Sequence, residues 1–322
     1  MDMKKTAQAI KKYDNYIVTS HINTEGDAIG SELAVYHLVK QLGKHAVVIN
    51  NDLVPERYLF LPDADKIARW NDWEFKDYNN SIIVDCPTVE RCGNIAPAVQ
   101  RSRIKINIDH HVSNVNFGDF NWVEPDASSC GEMIFNLYKE LGLNINEEIA
   151  TMLYVAILTD TGSFRYDSTT LETHQVAGEL IKIGVKPDKV AEKVYEAKGL
   201  NDIELLSKAL STIRVEHNNK IAYIYVTKKM LEETGTLPDR TDGFVDFARS
   251  IKGAEISMFF REDMDNPKRV HVGFRSKGRV NVNMLASRFG GGGHPKASGC
   301  VLEGSLKYVI DVVLKEAKEF LV

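Results

Sequence analysis

Short apolar runs alternate with segments of helical period along the first half of the chain. Tyr16-Ile17-Val18-Thr19 predicts a buried strand, followed by a glycine-containing loop from His21 to Gly26. Ile29, Leu33, Tyr36 and Val39 then recur at helical spacing, which predicts a helix from about Ala28 to Leu42 that stops at Gly43. Further strands are predicted at Ala46–Ile49, Ser81–Val84 and Ile104–Ile108. Strands separated by helices imply βα units and a mostly parallel sheet with flanking helices.

Met152–Leu158 is apolar throughout, so it is buried, but periodicity does not say whether it is helix or strand. Thr169-Thr170-Leu171-Glu172 has the form of a capping box and predicts a helix to about Ile183. A second helical stretch is predicted from Val185 to about Ser211. Beyond it the pattern becomes strand-like at Ile213–Val226, Glu255–Phe260 and Val270–Arg275, with a hairpin turn at Asn218-Asn219. Phe244–Ser250 and Val282–Phe289 read as helices. The expected fold is α/β throughout: a first domain over 1–190 with a mostly parallel sheet, a helical connector over 191–212, and a smaller α/β domain with a mixed sheet over 213–322.

The length, 322 residues, fits two domains at roughly 150 residues each. A content of 43 % hydrophobic and 26 % charged residues excludes a fibrous or disordered chain. The net charge of −5 provides no global field for gripping a long nucleic-acid duplex, although a local basic pocket for a small anion is still allowed. Cys86, Cys92, Cys130 and Cys300 lack CxxC spacing, which argues for reduced thiols rather than a disulfide framework or structural zinc. The charged start MDMKKTAQAIKKYDNY has no apolar core of a secretory signal, and no apolar run is long enough to span a bilayer. A cytoplasmic protein without membrane contact is expected.

Polar residues gather directly after four apolar runs. They are His21 with Glu25 and Asp27, then Asp85, then Asp109-His110-His111, then Asp160. In an open parallel sheet, ligands bind beyond the carboxyl ends of the strands, so four such ends can converge. Alone, Asp85 reads as a helix cap, His110-His111 as a surface pair and His21 as a buried histidine; four coincidences at run ends outweigh those readings. The inventory is carboxylates and imidazoles without a thiolate, which suits Mn²⁺ or Mg²⁺ better than structural zinc. Five carboxylates close together repel unless cations neutralise them. Two ions about 3.5–4 Å apart would hold a bridging hydroxide and clamp a phosphoryl oxygen, the apparatus for hydrolysing a phosphate ester.

A second cluster, Gly290-Gly291-Gly292-Gly293-His294-Pro295-Lys296-Ala297-Ser298-Gly299, reads as an anion-cradling loop with His294 and Lys296 adding donors. Arg275, at the end of a predicted strand, is a second phosphate contact, since its guanidinium binds phosphate bidentately.

HINTEGDAIGS at 21–31, VDCPTVER at 84–91, IDHH at 108–111, TDTGSFRY at 159–166 and GGGGHPKASG at 290–299 together resemble the DHH phosphoesterase superfamily. Within it they resemble the bacterial nanoRNase/pAp phosphatase family, whose DHH domain precedes a DHH-associated domain. The resemblance implies His21, Glu25 and Asp85 on one metal and Asp27, Asp85, His110 and Asp160 on a second, with Asp85 bridging. It implies two Mn²⁺, with Mg²⁺ or another divalent ion as the alternative. Asp109 would orient its neighbours, His111 would face the scissile phosphate, and Arg91 would be structural. Arg275, Gly291, Gly292, Gly293, His294 and Lys296 would hold the substrate's terminal phosphate. One departure stands out: the first motif carries Thr24-Glu25 where the family carries Pro-Asp.

The activity implied is hydrolysis of 3′-phosphoadenosine 5′-phosphate (pAp) to AMP and phosphate, and degradation of short oligoribonucleotides to mononucleotides. A phosphodiesterase for cyclic dinucleotides or their linear products is the first alternative. A nucleotide-binding sensor with a metal site weakened at Glu25 is the second. A homodimer is left open.

Overall fold

The computed structural model describes residues 3–70, 78–266 and 268–321. The chain divides into two compact units, Met1–Ala197 and Lys198–Val322.

The first unit begins with α1 (Met3–Lys12), β1 (Tyr16–Thr19), α2 (Gly26–Gln41), β2 (Ala46–Asn50), β3 (Ala68–Arg69) and β4 (Asn80–Val84). It continues through α3 (Ala96–Arg101), β5 (Ile104–Asp109), β6 (Phe120–Val123), α4 (Cys130–Leu141), α5 (Glu147–Asp160), α6 (Leu171–Ile183) and α7 (Pro187–Tyr195). Its sheet has the order β3-β2-β1-β4-β5-β6 and every pairing in it is parallel. The sheet grows outward from β1 in one direction through β2 and in the other through β4. The strand order therefore reverses between β1 and β4, where open α/β sheets leave a crevice beyond the strand ends.

The ambiguous apolar run 152–158 is helical, as the centre of α5. Asn146 caps that helix by accepting the Ile149 N–H, and Glu147 and Glu148 fill its first turn, where carboxylates suit the helix dipole. Asp160 is therefore delivered by a helix end and not by a strand end. The cap of α6 lies one residue later than the pattern suggested: Thr170 accepts from Thr173, whose hydroxyl reaches back to the Thr170 N–H.

Helices α2 and α5 approach closely because glycine faces the contact. A Cβ at Gly30 would lie 2.3 Å from the Met152 carbonyl oxygen. Gly30→Ala is expected to cost about 1–3 kcal/mol, as overpacking does, and to lower the calorimetric Tm. An unchanged Tm would mean that the two helices separate at no cost.

The expected connector is two elements. Helix α7 ends at Tyr195, and Gly199 begins α8 (Leu200–Leu210). Leu205 and Ala209 of α8 pack with Ala222, Ile224 and Phe244, so α8 belongs to the core of the second unit. The rest of that unit comprises β7 (Arg214–Glu216), β8 (Ile221–Val226), α9 (Lys228–Thr234), α10 (Phe244–Ser250), β9 (Ile256–Glu262) and β10 (Arg269–Ser276). It ends with α11 (Val282–Ser287), β11 (Gly292–Gly293), β12 (Ala297–Glu303) and α12 (Leu306–Lys318). The sheet order is β11-β12-β10-β9-β8-β7, parallel only between β8 and β9. It is the expected mixed sheet, and its β7–β8 turn carries Asn218 and Asn219 at positive φ. Val272, Phe274 and Cys300 on one face pack with residues of α11 and α12.

Candidate metal centre

Strands β1 and β4 are neighbours, and β5 lies beside β4, so the residues following all three emerge together. Asp85 is central. It follows β4 with a left-handed backbone, φ 51°, a conformation that aspartate tolerates better than most residues. Its Oδ2 lies 3.4 Å from His21 Nε2, and its Oδ1 lies 3.5 Å from His110 Nε2 and 3.6 Å from His111 Nδ1. His110 Nε2 is also 3.6 Å from Asp27 Oδ2 and 3.5 Å from Asp160 Oδ2.

Each ligand atom is aimed by a contact at its other end. His21 Nδ1 lies 2.7 Å from the Ile22 carbonyl, and His110 Nδ1 lies 3.1 Å from the Ala127 carbonyl, which turns both Nε2 atoms inward. Asp27 accepts the N–H groups of Cys130 (2.8 Å) and Gly131 (3.0 Å) at the start of α4, and the Ser31 hydroxyl (3.0 Å). Asp109, fully buried, lies 2.7 Å from His111 Nδ1 and accepts from Asn114 Nδ2 at 2.5 Å. Glu32 braces the ends of neighbouring strands by accepting from Asn50, and burial pushes its carboxyl up to about 8.

The electrostatics show a cluster that holds protons among its carboxylates. Burial disfavours the charged rings, but the surrounding carboxylates overcome it. His21, beside Asp85, is raised to about 10, and His110 is raised well above the usual range, with Asp160 the foremost carboxylate. Burial would also raise Asp85, yet His110 and His21 hold it well below the carboxylate range. Asp27 is raised by burial and by Asp85 and Asp160. Asp160 is pushed to about 6, chiefly by burial.

The donor set fits a cation. Three carboxylate oxygens stand 3.5–3.6 Å from one imidazole nitrogen. That is beyond good hydrogen bonds, and it is the separation of donors that share an ion at about 2.0–2.2 Å each. Asp27, Asp85, His110 and Cys130 form one such group, and Asp85, Asp109 and His111 another.

Two features depart from the sequence reading. Cys130 joins the cluster, its Sγ 4.0 Å from Asp85 Oδ1, although the expected inventory held no sulfur. Burial, and then the charges of Asp27 and Asp85, raise its thiol well above the usual range, so it is a neutral neighbour. No local signal marks Cys130; it arrives because α4 begins against the ends of β4 and β5. Glu25 is exposed at the start of α2 and forms no side-chain hydrogen bond or ion pair among the described residues; it acts on Asp160 only through space. Arg91 likewise makes no side-chain ion pair there, while its carbonyl accepts the Ile22 N–H at 2.7 Å and anchors the His21 loop. Asn114 escaped the sequence reading although it lies only three residues past His111.

In the second unit, the glycine tract is partly strand. Gly290 and Gly291 donate their N–H groups to the carbonyls of Ser287 (3.1 Å) and Ala286 (2.9 Å), closing α11. Gly292 and Gly293 form β11, and the His294 N–H donates to Ala297. A Cβ at Gly291 would lie 2.2 Å from the Gly299 carbonyl oxygen, so that glycine serves a close backbone approach. Lys296 Nζ donates to the Gly278 carbonyl, and Arg275 Nη1 to the Phe274 carbonyl. Two of the four glycine N–H groups of the expected anion cradle, those of Gly290 and Gly291, are thus spent on internal bonds.

Fold and site together define a two-unit α/β protein with a buried carboxylate–imidazole cluster, able to hold a metal ion, at the switch point of its parallel sheet. The DHH family N-terminal domain matches residues 15–157 and the DHHA1 domain matches residues 218–322. The chain is 32 % identical over 320 residues to the bifunctional oligoribonuclease and PAP phosphatase NrnA of Thermus thermophilus, covering 98 % of this chain and 94 % of the relative. It is 31 % identical to the protein of that name from Bacillus subtilis, covering 91 % and 90 %. Among solved structures, an exopolyphosphatase-related protein from Bacteroides fragilis superposes with a TM-score of 0.90 at 27 % identity, covering 99 % and 96 %. This chain belongs to the DHH family of phosphoesterases, and it is a hydrolase. Among the described residues, no helix is long and apolar enough to cross a membrane.

Proposed function

We propose that this chain hydrolyses 3′-phosphoadenosine 5′-phosphate to AMP and phosphate and degrades short oligoribonucleotides to mononucleotides in the cytoplasm. The observation that supports this reading most is the convergence of Asp27, Asp85 and Asp160 on His110 Nε2, in a chain 32 % identical to an oligoribonuclease and PAP phosphatase. We assign His21 and Asp85, with Glu25 completing the set, to one divalent ion. Asp27, Asp85, His110 and Asp160 would hold a second, with Mn²⁺ as the expected metal. Ions held by these residues would supply Lewis-acid polarisation of the phosphoryl oxygens and lower the pKa of a bound water. Asp109 fixes the His111 ring through Nδ1, which assigns Nε2 to proton donation at the leaving oxygen. Arg275, His294 and Lys296 bind the substrate's other phosphate.

Asn114→Ala is expected to lower kcat about 10–100-fold, the usual effect of losing a group that orients a functional residue. Metal stoichiometry by calorimetry should stay the same. Loss of metal along with activity would instead make Asn114 a scaffold residue.

The test of the reading is product release from pAp, a five-nucleotide RNA and a cyclic dinucleotide, each with Mn²⁺ and with excess chelator. Chelator-sensitive turnover of the first two is expected. Turnover of the cyclic compound alone would replace the reading with a signalling phosphodiesterase.

A further inference from the structure

Two of the four cysteines touch. Cys86 and Cys92 are fully buried free thiols, and their sulfurs lie 3.6 Å apart, in van der Waals contact. They belong to one loop of the first unit, on the sheet face lined by Ile17, Ile49 and Ile83. Between them the chain turns tightly. The Arg91 N–H donates to the Thr88 carbonyl, and Cys86 Sγ donates to the same oxygen at 3.1 Å. A lone buried cysteine is a small apolar filler. Two in contact within one loop have a second chemistry, because no α-helix or strand has to open before their sulfurs can bond.

The pair marks the two ends of the segment that ties Asp85 to the His21 loop. Cys86 follows Asp85, and its carbonyl accepts from Asn107 Nδ2 at 3.2 Å and from Asn114 Nδ2 at 3.4 Å. Cys92 stands between Arg91, whose carbonyl accepts the Ile22 N–H, and Gly93, at φ 69°. A Cβ at Gly93 would lie 2.5 Å from Ile22 Cγ2, so this end of the loop is pressed onto the residue next to His21. A disulfide holds its sulfurs about 2.05 Å apart, so closing from 3.6 Å takes about 1.5 Å of movement. Whatever the side-chain torsions do not absorb falls on the backbones of Cys86 and Cys92. A close-packed interior passes such strain to its neighbours.

We propose that Cys86 and Cys92 form a reversible disulfide when the protein meets hydrogen peroxide, and that the bond lowers activity by displacing Asp85 and His21. One thiol attacks a peroxide oxygen, the O–O bond breaks, and a sulfenic acid and one water form. The second thiol displaces the sulfenic oxygen as a second water and leaves the S–S bond. Two electrons and two protons thus pass from the thiols to the peroxide. Burial raises the Cys86 thiol well above its usual range, which keeps the reaction slow and reserves it for sustained peroxide. The inference rests on the reading of Asp85 and His21 as the metal ligands of a phosphoesterase and adds how that site is regulated.

The test treats the full chain, loaded with Mn²⁺, with hydrogen peroxide and then removes the excess with catalase. The intact mass should fall by two hydrogens, and peptide mapping should join Cys86 to Cys92. Turnover of pAp should fall about a hundredfold, the effect of a misplacement of about 1 Å, and a dithiol reductant should restore it. Mn²⁺ affinity by calorimetry should fall alongside. Cys92→Ala, and Cys92→Val, which refills the space, should match untreated wild type and keep their turnover in peroxide, although both retain Cys130. Absence of a Cys86–Cys92 bond, a bond that leaves turnover and Mn²⁺ affinity unchanged, or an equal loss of turnover in the Cys92 variants overturns the proposal. A protein that forms the bond and loses Mn²⁺ affinity, but hydrolyses nothing even when reduced, would keep the redox pair and lose the phosphoesterase reading.

Discussion

Asp85→Asn should reduce kcat/KM for pAp at least about 10³-fold, the upper range for removing one electrostatic stabiliser. The substitution preserves shape and removes one charge. Its carboxylate faces three imidazoles: Oδ2 faces His21, and Oδ1 faces His110 and His111. With an amide there, no single group links the two proposed ion positions, so calorimetry should also show weaker Mn²⁺ binding. The metal-free variant should be less stable near pH 7, because the buried rings of His21 and His110 lose the anion that lets them keep a proton. Activity within tenfold of wild type would mean that Asp85 is not at the reacting centre.

Adding Mn²⁺ should stabilise the protein, and more at pH 8.5 than at pH 6. The sign follows from the proton affinities of the metal-free cluster. His21 in the fold titrates near 10 against an ordinary 6.5, because Asp85 outweighs its burial. Its stabilising contribution is complete below 6.5 and is lost as pH rises through 10. Asp160, raised by burial to about 6 from 3.8, gives a contribution present below 3.8 and lost as pH rises through 6. Asp85, lowered, works in the opposite sense, its contribution being lost only as pH falls below the carboxylate range. The metal-free protein therefore weakens from near-neutral to alkaline pH. An ion needs unprotonated imidazoles and ionised carboxylates, so it displaces these protons and binds more tightly as pH rises. At a hundredfold excess over Kd the gain is about 2.7 kcal/mol, equivalent to a Tm rise on the order of 5–10 °C. Calorimetry at pH 7.5 in buffers of different ionisation enthalpy should register proton release. Proton uptake, or a Tm shift that shrinks with pH, would contradict this account of the site.

Much of the site was legible in the chain because its parts are local. A strand as short as Tyr16–Thr19 is announced by its apolar run, and a polar residue straight after a strand emerges at the sheet's end. His21, Asp85, Asp109, His110 and His111 could be placed that way. Asp160 was found for a different reason from the true one. Its apolar run has no period that separates strand from helix, and only Asn146 and the acidic turn of α5 decide the matter. Glu25 is a different case: the motif supplies its charge, while its carboxylate stands exposed at the start of α2, so that a bound ion would have to draw it in.

By itself, the sequence determined the alternation of elements, the strand ends that carry carboxylates and imidazoles, and the family. These depend on periodicity and on motifs a few residues long. Tertiary structure alone decided the strand order β3-β2-β1-β4-β5-β6 that brings His21 beside Asp85. It also decided the entry of Cys130 and the support of Asp109 by Asn114. The physical reason is common to all of these. A side chain's neighbours across a sheet or a helix contact are set by pairing register and packing, and pairing joins residues whose separation along the chain carries no local signal.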